Sequence, residues 1–336
     1  MKKRYLCFIA ALTLGLLMMA GCGAQSKTSQ CFAMGTVCSQ TVAGPEEWLA
    51  EGEQMLFAMD ARYSWRRTDS EISRINAHAG EFVEVSRETF DLVAKAREMA
   101  ERTGGAFDPT IGVLSKEWNF VEDPKVPSAQ VIENGLTYID YRQIELDAAG
   151  CRVKIAQGQF LDLGGIAKGA AADALAAYYR AQGAESGILN LGGNVYVLGT
   201  QTDGTLYRVG MRDPEGAAND VYGSIAVQDK AVVVSGAYER NFTENGVTYH
   251  HILDAETGYP AESDLLSACI VADDSTLADA LSTAVFVLGS EKGMALVREM
   301  EGVDAILIRK DNTILASDGF AEKYALQLTK GKPYTL

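Results

Sequence analysis

Basic charge is scarce in this sequence: Lys and Arg number 30 against 45 Asp and Glu, for a formal net charge of −15. A non-specific nucleic-acid binder needs a basic footprint, so that class is excluded and no nucleic-acid partner is expected. Any phosphate ligand must be held by local devices such as backbone amides, a single Lys or a divalent cation. Cysteine is sparse as well, at 6, with no CxxC spacing and no His beside any of them, so no disulfide framework is indicated. Histidine is scarcer still, at 3. There is no internal repeat and no long low-complexity linker within the folded part. What is present, 47% hydrophobic and 22% charged residues, is enough to bury a large core in a globular domain.

The N-terminus reads as a leader. Lys2, Lys3 and Arg4 precede an apolar run over 5–20 that is too short for an ordinary membrane span. The run ends in Met19-Ala20-Gly21-Cys22, which resembles a bacterial lipobox with Met19 where Leu is more usual. That resemblance implies cleavage before Cys22 and acylation of its thiol with palmitate-type chains. Each buried methylene contributes about 0.8 kcal/mol, so several chains anchor firmly. The expected organisation is a lipoprotein signal peptide over 1–21, a polar tether over 22–30 and one α+β domain over 31–336. The alternative is an ordinary secretory signal and a soluble product.

Within the domain, residues 31–43 read as a strand interrupted at Met34-Gly35-Thr36, where a Gly suggests a bulge or a ligand against the backbone. Helices are predicted from Pro45 to Met59, after a cap at Asp69 or Ser70, from Ser86 to Thr103, after the Leu161–Gly165 turn to Gly183, and from Asp274 or Ser275 to Leu288 with a second from Ser290. Residues 187–235 read as consecutive short strands of an antiparallel sheet.

Several stretches carry chemistry. LDLGGIAKGAAADAL, 161–175, bends through Gly164 and Gly165 at a predicted strand-to-helix turn, offers the Lys168 amine and opens a helix. Free N–H groups and a helix dipole there suit an anion, although a tight turn with no ligand has the same sequence. The spacing is not the GxGxxG of dinucleotide-binding folds. Asp279 and Thr283 stand at i and i+4, so a carboxylate and a hydroxyl share one helix face and can share a hard cation such as Mg2+. Alternatively Thr283 bonds back to its own helix and Asp279 is solvated. His250 and His251 alternate on a strand, so one can face a site while the other packs. Gly192-Gly193-Asn194 is a second glycine turn, and Arg240 closes SGAYER as an anion contact or a surface pair with Glu239.

In order, AMGT, YSWRRTDSEISRIN, GAFDPTIG, DLGGIAKGAAAD, LNLGGN, SGAYERNF, HHILDAETG and ADALSTAVFVLG closely resemble the ApbE family of FAD:protein FMN transferases, across about 31–320. The resemblance implies a T-fold-like α+β domain with antiparallel sheets and packed helices. It also implies Mg2+-dependent transfer of FMN from FAD to a Ser or Thr hydroxyl of a target flavoprotein, with a phosphoester formed and AMP released. Carried over by motif, the metal ligands are Asp279, Thr283 and the Gly165 carbonyl. FAD contacts fall at Met34, Trp65, Ala106, Phe107, Asp108, Asp162, Lys168 and the Leu253 backbone, and His251 is the base. The implied partners are FAD, acceptor flavoprotein subunits of redox complexes and, through the lipid anchor, the extracytoplasmic face of the bacterial membrane. FAD hydrolysis to FMN and AMP, or FAD binding without turnover, are the rival functions. Ala255 and Ala237 depart from the family's usual Pro and Asp, which bears on loop rigidity more than on chemistry.

Overall fold

Three strands, Lys230–Gly236, Leu265–Ala272 and Asp304–Arg309, have apolar side chains on both faces, and both faces are covered. Ala231, Val233, Ala268, Ile270, Ala305 and Leu307 meet a layer of helices. Their neighbours Val232, Cys269, Val271, Ile306 and Ile308 point to the opposite core, as strand alternation requires. These strands sit in an eight-stranded sheet in the order Ser26–Ala33, Thr36–Ala43, Ser186–Leu191, Asn194–Gly199, Lys230–Gly236, Leu265–Ala272, Asp304–Arg309, Ile314–Ala316. Every neighbouring pair is antiparallel. The computed structural model describes residues 25–217 and 219–336. The signal peptide expected over 1–21 and the acylation residue Cys22 lie outside the described residues.

Helices Glu46–Tyr63, Arg87–Arg102, Ala167–Gln182 and Ser275–Arg298 cover one face of the sheet. Their limits follow the local signals. Ser70 and Ser86 accept from Ser73 N and Thr89 N, Asp274 accepts from Leu277 N, and Gly183 closes its helix in the left-handed region. Ser275–Arg298 is, among the described residues, the helix long and apolar enough to cross a membrane. Here it is a core helix against the sheet, broken at Gly289 (φ 78, ψ 179) into the two helices predicted.

The sequence expectations need amendment in three places. The tether ends sooner than expected: from Ser26 on, residues 26–30 belong to the first strand of the sheet, with Thr28 and Thr41 hydroxyls 2.9 Å apart across the pair. An edge strand has one solvated side, so its composition can be as polar as a tether's. Met34 and Gly35, both at positive φ (53° and 69°), form a two-residue hairpin turn and not a bulge. Residues 187–235 serve two sheets: Tyr207–Arg212 and Val221–Val227 pair with Gln327–Leu328 in a separate three-stranded sheet that covers the second face.

Candidate active site

The Leu161–Gly165 loop is held from outside itself. Asn76, the last residue of the YSWRRTDSEISRIN stretch, donates from Nδ2 to Leu161 O (3.0 Å) and accepts from Leu161 N (2.7 Å). Asp162 donates its backbone N–H to Pro109 O at 2.8 Å, and its Oδ1 accepts from Gly164 N at 2.8 Å. No strand precedes the turn as predicted; Phe160 makes only an isolated bridge to Ile111. Neither Gly164 nor Gly165 takes a positive φ. Gly165 serves close approach instead: a Cβ there would lie 3.2 Å from Phe107 Cε2 and 3.4 Å from Thr283 Oγ1.

The helix start behind this loop already has an anion. Asp279 Oδ2 accepts from Gly169 N at 2.9 Å, which makes it a cap supplied by another helix. Asp279 is only 3% exposed. Its Oδ1 faces the Lys168 ammonium at 3.5 Å, and that ammonium also donates to Gly164 O at 3.2 Å. Thr283 Oγ1 lies 3.5 Å from Asp279 O, the weak back-bond that its helix position predicts. Carboxylate and glycine-loop carbonyl thus meet at one positive charge, and the Thr283 hydroxyl opens on the same cleft beside Gly165. This is an all-oxygen donor set of the kind Mg2+ prefers, and the ammonium already bridging two of the oxygens shows that they favour a cation. The carbonyl that accepts from Lys168 is Gly164's, and Gly165, the expected metal ligand, lines the cleft beside Thr283. The residues present therefore fit a hard cation.

His250 and His251 divide as strand alternation predicts. The His250 ring packs edge-on against Phe286 (5.6 Å) and its Nε2 lies 3.3 Å from Ala261 O. His251 faces the cleft, its backbone N–H bonded to Arg240 O at 3.0 Å and its Nδ1 covered without a partner. Burial, with the Arg240 and Lys168 cations and His250 adding to it, lowers the His251 pKa from 6.5 to about 3. The imidazole is therefore neutral at physiological pH, and in the empty cleft burial makes it a weak base.

All the remaining sequence-predicted residues line that cleft of about 490 Å3: Met34, Trp65, Ala106, Phe107, Asp108, Asp162, Lys168, Leu253, Gly165, Asp279 and Thr283. The volume suits a small-molecule ligand. Asp108 has no oxygen to spare. Its Oδ1 accepts from Thr110 N (2.8 Å) and Oγ1 (2.6 Å), and its Oδ2 accepts from Tyr141 N (3.1 Å), so it shapes the 106–110 loop from within. Burial raises its pKa against these bonds. A larger groove, about 620 Å3, lies between the Glu46–Tyr63 and Arg87–Arg102 helices. Its charges include the Arg62–Glu88 ion pair at 3.7 Å, and none of the groups above reaches it.

A model of the ApbE family matches residues 34–307. The chain belongs to the ApbE family. A relative from Treponema pallidum, named FAD:protein FMN transferase, is 38% identical over 331 residues, 91% of each chain. The solved ApbE protein from Thermotoga maritima superposes with a TM-score of 0.83 at 35% identity, over 89% of this chain and 99% of that one. The flavin transferase ApbE from Vibrio cholerae gives 0.79 at 26% identity, over 89% and 100%. The α+β fold read from the sequence is that of these structures, and the enzyme class is flavin transferase.

This flavin transferase has further cleft residues, two that the sequence did not single out and two whose role it left open. Asp60 accepts from Met34 N at 2.9 Å and so fixes the hairpin turn at the cleft. Arg66 lies over the Trp65 ring at 4.2 Å and bonds Asn119 Oδ1 at 3.0 Å, and burial lowers its pKa. Asn194, 1% exposed and on the cleft lining, accepts at Oδ1 from Ser275 Oγ (2.9 Å), while its buried Nδ2 finds no partner among the described residues. Arg240, ambiguous in sequence, donates to Gly35 O at 3.1 Å and lines the cleft. The loop that lacks the usual Pro at Ala255 is tied instead by Asp254, which accepts from Glu256 N (2.8 Å) and donates to Tyr259 O (2.8 Å).

Proposed function

We propose that this enzyme transfers FMN from FAD to a Ser or Thr hydroxyl of an acceptor flavoprotein, with Mg2+ as cofactor. One observation carries the reading: the Asp279 carboxylate, the Thr283 hydroxyl, the glycine-loop carbonyl, Lys168 and a neutral His251 open on the same cleft. In this reaction the acceptor oxygen attacks the FMN-side phosphorus, the bond from that phosphorus to the bridging oxygen breaks, and AMP leaves with the electron pair. His251 receives the hydroxyl proton at an imidazole nitrogen, a step that burial of the ring prepares by keeping it unprotonated. The negative pyrophosphate beside it favours the imidazolium that forms. Lys168 stabilises charge on the phosphoryl oxygens, as an ammonium does in phosphoryl transfer generally. Mg2+ held by Asp279, Thr283 and the loop carbonyl would supply further neutralisation of that charge.

The leader supports a wider reading. A lipid on Cys22 would hold the domain at the extracytoplasmic membrane face, where the acceptors are subunits of membrane redox complexes. Labelled fatty acid incorporated by the wild type and absent from Cys22→Ser would establish the anchor. For the reaction, the mature domain is mixed with FAD, Mg2+ and a flavin-free acceptor subunit. Flavin fluorescence on the denatured acceptor together with AMP supports the transferase. Free FMN and AMP with no labelled protein would identify a hydrolase, and unchanged FAD a binding protein.

A further inference from the structure

The two edges of the central sheet are finished differently. At one end Ile314–Ala316 is short, and its outer side is taken by the C-terminal segment, through Ile314 N to Thr335 O at 2.6 Å. At the other, Ser26–Ala33 is eight residues long and pairs only with Thr36–Ala43 among the described residues. It contains no Pro, and the register with Thr36–Ala43 runs without a bulge from Ser26 to Ala33. Protein edges of that length are normally blunted, because a bare row of N–H and C=O groups templates another strand.

This edge runs into the active site. Its hairpin turn, Met34-Gly35-Thr36, lines the cleft and is clamped by Asp60 and Arg240. In a two-residue hairpin the residues flanking the turn, Ala33 and Thr36, form the hydrogen-bonded pair, so Ala33, Cys31 and Ser29 bond inward. The backbone groups of Phe32, Gln30 and Thr28 then point outward along the free edge. On the outer face of the same hairpin, Phe32 is 70% exposed and its cross-strand partner Val37 is 57% exposed. Directly opposed apolar residues on a strand pair make one patch.

We propose that the Ser26–Ala33 edge is the docking strand for the acceptor: the segment around the modified Ser or Thr adds as an extended strand and is led along the hairpin to the cleft. Backbone bonds to Thr28, Gln30 and Phe32 hold it without demanding a particular sequence, and the Phe32–Val37 patch takes an apolar side chain of the acceptor. An extended segment alternates its side chains, so the acceptor hydroxyl can face the cleft while its neighbours face solvent. The inference rests on the transferase reading, and its test keeps the two separable.

The decisive variant is Gln30→Pro, which removes an outward N–H, puts a ring on the free edge and leaves the inward ladder bonds intact. Gln30→Ala, with its backbone unchanged, is the control. A purified flavoprotein subunit that carries FMN on a threonine when mature, supplied flavin-free, is titrated against each enzyme. Gln30→Pro should raise KM for the acceptor at least about tenfold, with kcat and the Kd for FAD unchanged, since one backbone bond is lost outright and the ring displaces its neighbours. Phe32→Ser with Val37→Ser should raise it less, through loss of the patch. An unaltered acceptor KM in both variants overturns the docking strand while leaving the transferase intact. So does a wild-type dimer that Gln30→Pro dissociates without changing KM, which would make the edge a self-interface. If Gln30→Pro also weakens FAD binding, the hairpin itself has moved, and the Phe32/Val37 variant decides. A wild type that labels no acceptor overturns the functional reading itself, and the docking strand with it.

Discussion

Asp173 and Asp279 occupy matched positions, each reaching from one of two crossing helices to the N-terminus of the other. Asp173, on the Ala167–Gln182 helix, accepts from Ser275 N (2.9 Å), Thr276 N (2.8 Å) and Thr276 Oγ1 (2.5 Å). Asp279, on the Ser275–Arg298 helix, accepts from Gly169 N (2.9 Å) and otherwise faces Lys168 at 3.5 Å. The helices are close enough that a Cβ on Gly169 would sit 2.2 Å from Ser275 O. Both carboxylates satisfy orphan N–H groups, but one is spent on them and the other keeps an oxygen for the cleft. The same capping geometry therefore yields a structural residue and a site residue, and the count of engaged lone pairs tells them apart.

Breaking that pair one member at a time should separate activity from stability. Asp279→Asn keeps an acceptor for Gly169 N but removes the charge. Transfer should fall by about 10³-fold or more, and calorimetric Mg2+ binding should vanish, with little change in Tm. Full activity in that variant would remove Asp279 from the metal site. His251→Ala tests the other side of the same cleft. Transfer should drop by about 10²–10⁴-fold while FAD still binds, measured by flavin fluorescence quenching. Loss of FAD binding would mean that His251 holds the ligand. Asp173→Ala should do the reverse, costing about 2 kcal/mol in chemical denaturation while the folded fraction retains its kcat. A large kcat loss without destabilisation would make Asp173 a site residue after all.

The comparison also explains what could be read from the sequence. Caps such as Ser70 and Ser86, and the stop at Gly183, act over three or four residues, so local chemistry reveals them. Asp173 bonds across a separation of 102 residues and Asp279 across 110, and no local pattern announces either bond. Most of the residues that line the cleft were legible because their motifs keep residue types together, even though Asp60 and Arg66 escaped. Sheet membership was less legible. The alternation of Tyr207–Arg212 looks the same whether it joins the central sheet or leaves it, because period two reports burial and not partner. The hairpin of Asn241–Glu244 with Val247–His250 did carry a signal, Asn245-Gly246, with Asn245 at φ 52. It orders the chain just before His251.

The smallest expected effect concerns protons. Burial, opposed by its hydrogen bonds, raises Asp173 from 3.8 to about 6, so between those values the folded state holds the proton more tightly than the unfolded chain. Its contribution is fully present below about pH 4 and is lost as pH rises through 6. His251 runs the other way. With its pKa lowered from 6.5 to about 3, it costs stability as pH falls below 6.5, because the unfolded chain gains the proton first. The two slopes oppose each other between about pH 4 and 6, and the wild type should be flattened there. Removing the first with Asp173→Asn exposes the second. That variant should lose on the order of 1 kcal/mol more than the wild type on going from pH 6 to pH 4, read from urea midpoints at each pH. Parallel pH curves for the two proteins would show that Asp173 is already ionised in the fold, with its three donors outweighing its burial.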